Sequence, residues 1–354
     1  MLLTAEQVPN VVIARLHRIG SSADPGVCIS ACANDAKRRS SALSVTGELL
    51  QGKNLTDSVG GKAMSTSRRE IVSAAAAAAL LPVRLHAAAP NPRIAVLDWA
   101  IAETMIVLGV DPIALVAARD WDRFVVEPRL PAGTVDIGVQ QEVNFELLAE
   151  LRPDLIFTSP FSQNDEPALR RIATTERLVV FEATARPLDH PRWLTQTLGS
   201  RLGRQSQAQA FLNQANLMLA EYQRRLLRLR VPPLLLVNFL DARHVRVYAG
   251  VGLYQNVFDA LGLVNAWTQP TNAWGFATVG IERLATDQNV RLIAFEPVPP
   301  DARPTLAQSP LWRDLPFVRA ARISVLPPVL MFGAMPAALR FAGLLTTELE
   351  GVAA

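Results

Sequence analysis

The chain has 354 residues, of which 50% are hydrophobic and 19% are charged, and its formal net charge at pH 7 is +3. The first 89 residues carry ten Lys and Arg and six Asp and Glu, which leaves 25 basic and 26 acidic residues in the remainder. Such a nearly neutral remainder gives no electrostatic reason to expect nucleic-acid binding, and its lack of cysteine excludes disulfides, thiolate metal sites and a lipid-modified cysteine there.

Residues 64–89 have the pattern of a twin-arginine export signal. Arg68 and Arg69 precede a weakly apolar, alanine-rich run of about a dozen residues, and small residues close the segment at 87–89. The run is too short to serve as a permanent transmembrane helix. We therefore predict export by the twin-arginine translocase and cleavage between Ala87 and Ala89.

The segment before this signal differs in composition from the rest of the chain. All three lysines and both cysteines lie in residues 1–63, and Met64 stands just before the arginine pair. We predict that residues 1–63 are an upstream extension outside the natural product, although a translated, linker-like N-terminus fits the same composition. The mature protein would begin near Pro90, and it would be free in the periplasm without a lipid anchor.

The exported part begins with alternating strands and helices. Predicted strands cover residues 94–98, 112–117 and 154–157, and predicted helices cover 100–108 and 145–151. Asn144 is placed to cap the second of these helices, and Pro153 follows its end. This alternation predicts a doubly wound α/β sheet whose ligand crevice lies at the carboxyl ends of its strands.

A second unit of the same kind follows a long helical stretch. The helix-then-strand pattern of residues 281–295 repeats that of 145–157, although ordinary similarity between α/β units explains the repeat about equally well. Residues 205–230 contain no Gly or Pro and carry a broad apolar stripe. We predict two doubly wound α/β lobes, residues 90–204 and 231–354, joined by one helix at 205–230.

Motifs in both halves are typical of one known family. The first half contains Leu97-Asp98-Trp99 with Glu103, Val135-Asp136-Ile137-Gly138 and Asn144-Phe145-Glu146-Leu147-Leu148; the second contains Asn265-Ala266-Trp267 and Thr271-Asn272-x-Trp274-Gly275. On these residues, nearly all of 92–350 resembles the binding proteins for iron siderophores and vitamin B12 that serve ABC importers, especially the periplasmic ferric-hydroxamate binders. The resemblance implies a class III fold with a helical backbone, no catalysis and no intrinsic cofactor. It also implies a ferric siderophore as ligand and an importer's permease and ATPase as partners.

The predicted ligand site is rich in aromatic side chains. A ferric hydroxamate complex is bulky, nearly neutral and partly apolar, so it suits aromatic platforms with a few polar donors. The aromatic residues expected in cleft loops are Trp99, Trp121, Phe124, Phe161, Trp274 and Phe332. The resemblance matches Trp99 and Trp274 to aromatic pocket positions.

Other positions depart from the family pattern. Gln140 stands where the hydroxamate binder has a ligand-contacting arginine, and it brings a hydrogen-bond donor without charge. The family tyrosine falls at Ser162 or Phe161, and a pocket tryptophan falls at Leu330. We therefore expect a more apolar or differently shaped siderophore than the usual trihydroxamates, such as one with mixed donor groups.

Glu146 and Glu282 fall at equivalent places in the two predicted lobes, each early in a helix. The resemblance implies that such a pair docks onto arginines of the permease. The alternative is that both acids complement helix dipoles.

The sequence offers little for catalysis. His190 and His244 are the only histidines beyond the signal, and no nucleophile elbow, phosphate loop, dinucleotide fingerprint or metal-binding histidine pair is present. We predict no catalytic residue, no protein-ligated metal and a monomer. The alternatives are a haem or cobalamin-like corrinoid binder, an exported hydrolase and a purely structural module.

Overall fold

Two five-stranded sheets, each packed against helices, form the framework of the structure. The computed structural model describes residues 92–182, 188–285 and 289–353. The extension predicted for residues 1–63 and the signal predicted for 64–89 lie outside these described residues.

The first sheet is wholly parallel. Its strands are β1 (Ile94–Val96), β2 (Ala114–Leu115), β3 (Val135–Asp136), β6 (Leu155–Thr158) and β7 (Thr174–Arg177), in the order β3-β2-β1-β6-β7. A separate antiparallel ribbon joins β4 (Gly138–Val139) to β5 (Glu142–Val143). The helices are α1 (Trp99–Val107), α2 (Trp121–Phe124), α3 (Phe145–Glu150) and α4 (Glu166–Ile172), with single 3₁₀ turns at Ala118–Asp120 and Pro160–Ser162. All of β1 is buried, as expected for a central strand covered on both faces.

Side-chain caps fix where two of these helices begin. Asp98 accepts hydrogen bonds from the backbone amides of Ala100, at 2.8 Å, and Ile101 at the start of α1. Asn144 accepts one from the Leu147 amide at 2.9 Å at the start of α3. The predicted Asn144 cap is therefore confirmed, because its amide oxygen satisfies a backbone donor that has no partner within the helix.

The second sheet is mixed. Its strands are β8 (Leu234–Phe239), β9 (His244–Tyr248), β10 (Phe276–Gly280), β11 (Arg291–Phe295) and β12 (Ile323–Leu326), in the order β10-β9-β8-β11-β12. Strands β8, β11 and β12 are parallel, whereas β9 runs antiparallel to both of its neighbours. Its helices are α7 (Leu253–Leu261), α8 (Ala302–Gln308), α9 (Pro310–Asp314) and α10 (Pro316–Arg319). The helix predicted at 281–285 is a 3₁₀ turn over Ile281–Leu284.

A tight turn explains the antiparallel strand. The Leu240 amide donates to the His244 carbonyl at 2.9 Å, and the Asp241 carboxylate accepts from the Arg243 amide at 2.6 Å. A connection this short joins antiparallel strands, because parallel neighbours need a long crossover. The expectation of two α/β lobes is confirmed, while the second lobe adds this hairpin to its parallel strands.

Three longer helices complete the structure: α5 (Asp189–Arg201), α6 (Gln205–Leu226) and α11 (Met335–Ala353). On α6, Ala208 packs into the core of the first lobe, while Leu212, Ala215 and Leu219 pack into the core of the second. Helix α6 is therefore the connecting helix, and it ends four residues before the predicted residue 230. The exact lobe boundaries stay a prediction. Within the described residues, the hydropathy and length of the helices give no candidate for a membrane-spanning segment.

Helix α11 is also tied to the first lobe by polar contacts. The Glu103 carboxyl, on α1, accepts a hydrogen bond from the Ala334 amide just before α11. Nearly two turns farther along, Arg340 forms an ion pair with Glu127 at 2.9 Å between Nη1 and Oε2. These contacts join the start of the last helix to the first lobe.

Glu103 is fully buried, and burial is the main reason why its pKa rises to about 8; hydrogen bonds from the Ala334 and Ala337 amides act in the opposite direction. The group therefore holds its proton in the folded chain at pH values where the unfolded chain has lost it. Its contribution to stability is fully present below the ordinary glutamate pKa and is lost as pH rises through about 8.

We expect Glu103→Gln to remove this pH dependence, because glutamine keeps the acceptor oxygen but cannot ionise. Relative to the parent protein, the variant should gain stability as pH rises from 5 to 9, by on the order of 4 kcal/mol at the upper end. Chemical denaturation across this pH range measures the difference. Glu150→Gln, an exposed change on α3, is the control. Parallel stability curves for the parent and Glu103→Gln would contradict the assignment.

Candidate ligand-binding cleft

The carboxyl ends of strands from both sheets meet at one cleft. Trp99 follows β1, Phe161 follows β6, Glu296 follows β11 and the segment 328–332 follows β12. In a doubly wound sheet there is one point at which the strand order reverses. The loops that leave the strands on either side of that point run in opposite directions, and a crevice forms between them. In the first sheet this point lies between β1 and β6, so the loops that leave the carboxyl ends of these two strands open onto the cleft.

The cleft contains a cavity of about 300 Å³, within the size range of small-molecule sites. Its wall is mostly apolar and aromatic, with a few charged and amide groups. The first lobe contributes Asp98, Trp99, Ala100, Arg123, Phe124, Gln140 and Phe161, and the second contributes residues 238–240, Arg246, Tyr248, Tyr254, 296–300 and 328–332.

Trp99 forms the aromatic wall of the first lobe. Its indole nitrogen donates to the Val116 carbonyl at 2.9 Å, and its ring stacks on Phe124 with centroids 5.9 Å apart. Trp121 packs edge-on against the same indole at 6.5 Å. The hydrogen bond and the two ring contacts hold Trp99 in one orientation, so the wall is formed before a ligand arrives.

Asp98 lies beside this wall, but its carboxylate already accepts hydrogen bonds from backbone amides of the protein. Its carboxylate caps α1, and burial raises its pKa to about 6, an effect partly offset by the nearby Ser159 side chain and by the capped amides of α1. Its acceptors thus serve the helix rather than the cavity.

Four aromatic rings form a cluster across the cleft, which we call the cross-cleft cluster: Phe161, Phe181, Trp274 and Phe332. Neighbouring centroids lie 5.1 to 5.8 Å apart in tilted or T-shaped contacts. Such geometries are favourable for aromatic pairs. Because Phe161 and Phe332 also line the cavity, the cluster supports the cavity wall from behind.

A glycine positions the tryptophan of this cluster. Gly275, next to Trp274, has a φ of +79°, and a Cβ there would lie 1.8 Å from the Val251 carbonyl oxygen. The Asn272 side chain accepts from the Trp274 amide at 2.9 Å. Only glycine permits this close backbone approach, which explains why the Asn-x-Trp-Gly sequence places its indole here.

Tyrosines and an arginine form the opposite wall. The Tyr248 hydroxyl donates to the Asn238 amide oxygen at 2.8 Å, and the Tyr254 hydroxyl donates to the Val329 carbonyl at 2.7 Å. Burial raises the pKa of Tyr248 to about 12 and also raises that of Tyr254 well above its ordinary value, so both phenols are neutral. Arg246 lies over the Phe276 ring at 5.3 Å.

The structure brings together six of the nine predicted ligand residues. Those lining the cavity are Trp99, Phe124, Gln140, Phe161, Leu330 and Phe332. Trp121, Ser162 and Trp274 do not line it. Trp121 is 1% exposed because its indole donates to the Pro128 carbonyl behind Trp99, and Ser162 is buried within a 3₁₀ turn. These two, and Trp274 within the cross-cleft cluster, lie behind the lining residues in the structure, and their roles in ligand binding stay predictions.

Sequence reasoning missed the second-lobe wall of Arg246, Tyr248 and Tyr254. A signal was present in β9, where Val245 and Val247 alternate with Arg246 and Tyr248. In a strand this alternation puts the arginine and the tyrosine on one face. The pattern suggests a buried guanidinium, but it does not say which cavity that face adjoins.

The remaining predicted functional groups lie elsewhere. Glu146, in the first turn of α3, and Glu282, in the 3₁₀ turn after β10, are both exposed. His190 contacts the Val179 carbonyl and Glu182, and His244 contacts Asp241. In the part of the chain that the structure describes, no three His, Cys, Asp or Glu side chains are grouped as a metal site would require.

Two α/β lobes joined by a long helix, with a largely preformed aromatic cleft between them, define a solute-binding protein of the helical-backbone class. A family model described as "Periplasmic binding protein" matches residues 94–330, and the chain belongs to that family. The resemblance drawn from the motifs is thereby confirmed. So is the expectation that the protein is not an enzyme, since the ferric-hydroxamate binders it resembles are non-enzymatic solute carriers.

Individual relatives share most of its length. The iron(3+)-hydroxamate-binding protein FhuD of Escherichia coli is 33% identical over 290 residues, covering 81% of this chain and 98% of that protein. The structure of the siderophore-binding protein FhuD from Vibrio cholerae with Fe³⁺–Desferal has a TM-score of 0.70 and 27% identity, covering 75% of this chain and 100% of that one. FhuD2 of Staphylococcus aureus with ferrioxamine B has a TM-score of 0.59, covering 74% and 100%; at 20% identity it shows the fold alone.

Proposed function

We propose that the protein captures a ferric siderophore, of the hydroxamate type or a related one, and delivers it to an inner-membrane ABC importer. The observation that carries this proposal is the aromatic cleft between the lobes, with Trp99, Phe161 and Phe332 in its wall. The relatives named for ferric hydroxamates and Fe³⁺–Desferal support the same ligand class.

The chemistry of the cleft suits iron that arrives already chelated. Free Fe³⁺ would need a set of hard oxygen or nitrogen ligands from the protein, whereas the cavity wall offers mainly rings and aliphatic groups. A chelator surrounds the metal with its own oxygens and presents apolar edges to the rings. We therefore assign the ferric complex as the transported ligand, with no intrinsic cofactor.

The wall also supports a ligand less polar than the usual trihydroxamates. Leu330, Met331 and Phe332 form a continuous apolar strip beside the cavity, and Gln140 adds an uncharged amide. Apolar contact area and ring stacking then supply most of the attraction, with few hydrogen bonds to fix orientation.

Titration with ferric complexes tests the ligand class. Protein beginning at Pro90 should show quenched tryptophan fluorescence with a ferric hydroxamate or mixed-donor siderophore, because Trp99 lines the cavity. Iron-free siderophore, haem and cobalamin should bind at least tenfold more weakly. Trp274→Ala should weaken binding about tenfold by removing the ring behind Phe161 and Phe332.

The matched control is Trp193→Ala, since Trp193 is 44% exposed and stacks on His190 away from the cavity. It should leave affinity within twofold of the parent value. If haem or cobalamin bound more tightly than any ferric siderophore, the result would contradict the proposal and indicate a haem or corrinoid binder. Turnover of an ester panel would indicate a hydrolase.

We also propose that Glu146 and Glu282 dock the loaded protein onto the permease. Both carboxylates are exposed, and they lie on different lobes. Separated surface charges mainly set orientation and encounter rate rather than affinity. An arginine on the permease facing each carboxylate would fix how the cleft meets the transport pathway.

Charge reversal tests the docking proposal. Glu146→Arg with Glu282→Arg should lower uptake of radiolabelled ferric siderophore at least tenfold in cells that lack the parent gene, because like charges would then face each other. Siderophore affinity of the purified double variant should not change. Glu150→Arg, an exposed change on the same helix α3, is the control. Normal uptake by the double variant would rule out this docking role.

For localisation we propose export to the periplasm by the twin-arginine translocase. Arg68→Lys with Arg69→Lys keeps both charges but removes the arginine pair. It should retain the protein in the cytoplasm, measured by cell fractionation, while the parent yields a periplasmic form whose first residue lies between Ala88 and Pro90. Export that is unaffected by the double change would refute this route.

A further inference from the structure

The apolar strip at residues 330–332, which lines the cavity, is anchored on both sides by polar contacts. After the strip, the Ala334 amide donates to the Glu103 carboxyl of the first lobe. Before the strip, the Pro328 carbonyl accepts a hydrogen bond from Nε of Arg340 at 3.0 Å. The position of the strip therefore depends on one side chain from α1 and one from α11.

Arg340 also reaches the first lobe with a second nitrogen. Its Nη1 lies 2.9 Å from Oε2 of Glu127. The neighbours of Arg340 on α11, Leu339 and Phe341, are buried in the core of the second lobe. Glu127 closely follows Val125, which is buried in the core of the first lobe. The ion pair thus joins two segments that are each fixed to a different lobe.

The segment that holds Glu127 leads directly to the aromatic wall of the first lobe. The carbonyl of the next residue, Pro128, accepts from the Trp121 indole at 2.8 Å. Trp121 in turn packs edge-on against Trp99, with ring centroids 6.5 Å apart. Arg340 is therefore connected to the Trp99 wall on one side and to the segment before the apolar strip on the other.

The guanidinium of Arg340 is suited to hold these two segments at a fixed spacing. It is planar and always protonated, and its N–H donors point in fixed directions, so two acceptors bound by different nitrogens are held at a set separation. The Arg340 side chain is 9% exposed and that of Glu127 is 66% exposed. Because the cation is largely buried, solvent screens this pair less than a pair on the open surface.

We propose that Arg340 is a positioning residue for ligand binding, because it fixes the spacing between the Trp99 wall and the apolar strip. The inference rests on the proposed function. Arg340 itself does not line the cavity, so it acts through the two walls that it connects. Without it, the protein populates arrangements in which the two walls cannot contact the ligand together. The apparent affinity then falls in proportion to the fraction of molecules that remain competent to bind.

The binding test uses ferrioxamine B as the probe. Arg340→Met removes both polar contacts and should weaken binding about tenfold, which corresponds to a competent fraction of about one-tenth. Glu127→Gln keeps an acceptor oxygen without the charge and should weaken binding about threefold. The double variant should bind within about twofold of Arg340→Met alone, because both changes remove the same contact. Arg319→Met, an exposed change on α10, is the control and should leave affinity unchanged.

A distance measurement separates positioning from a purely local effect on stability. The predicted exported form, which begins near Pro90, contains no cysteine, so spin labels can be attached at Glu150→Cys in the first lobe and Asp314→Cys in the second. Pulsed dipolar electron paramagnetic resonance then gives the distribution of distances between the lobes. Without ligand, Arg340→Met should make this distribution about twice as broad as in the labelled parent, and ferrioxamine B should narrow it again.

The outcomes distinguish this inference from the proposed function. If the parent binds ferrioxamine B and Arg340→Met binds it equally well, the role of Arg340 is overturned while siderophore capture stands. Weaker binding with an unchanged distance distribution also overturns the positioning role. If the parent binds no ferric siderophore of any donor class, the proposed function itself is overturned. Thermal unfolding checks that each variant folds. Should Arg340→Met fail to fold, Glu127→Gln with parent-like affinity and distances overturns the inference.

Discussion

The buried carboxyl of Glu103 links parts of the chain that are 231 residues apart. It accepts the Ala334 amide at the start of α11, and a Cβ at Gly333 would lie only 3.0 Å from the same carboxyl oxygen. Because burial favours the protonated form, the contact avoids most of the cost of a buried charge. The segment 328–332 lies just before this point, so the Glu103 contact sets where one wall of the cleft stands relative to the other.

Two helices limit how far the lobes can move. Helix α6 contributes side chains to the cores of both lobes, and α11 packs against it while also contacting α1. Opening the cleft widely would bend α6 or break the contacts of α11, which costs more than flexing a loop. The cleft is therefore largely preformed, and binding affinity depends on how well a ligand fits the existing aromatic wall.

The sequence predicted the parts of this structure that depend on local patterns. The Asn144 cap, the helix following β1 and the strands near 94 and 155 arise from short-range spacing and hydrogen bonding, which the chain carries in any context. Aromatic residues placed just after strands were expected in the cleft, and Trp99 and Phe161 lie there. The hairpin at 240–243, and with it the antiparallel strand β9 beside the cleft, was not predicted from the sequence.

By itself the sequence determined the family, the two-lobe α/β fold and the aromatic character of the cleft, because strand and helix periods and residue types are local properties. Only the tertiary structure decided which rings face the cavity: Trp121 lies behind Trp99, and Trp274 lies behind Phe161. It alone placed Arg246 in the wall. The physical reason is that exposure depends on which distant segments pack over a side chain, and that packing is set by contacts between residues far apart in the chain.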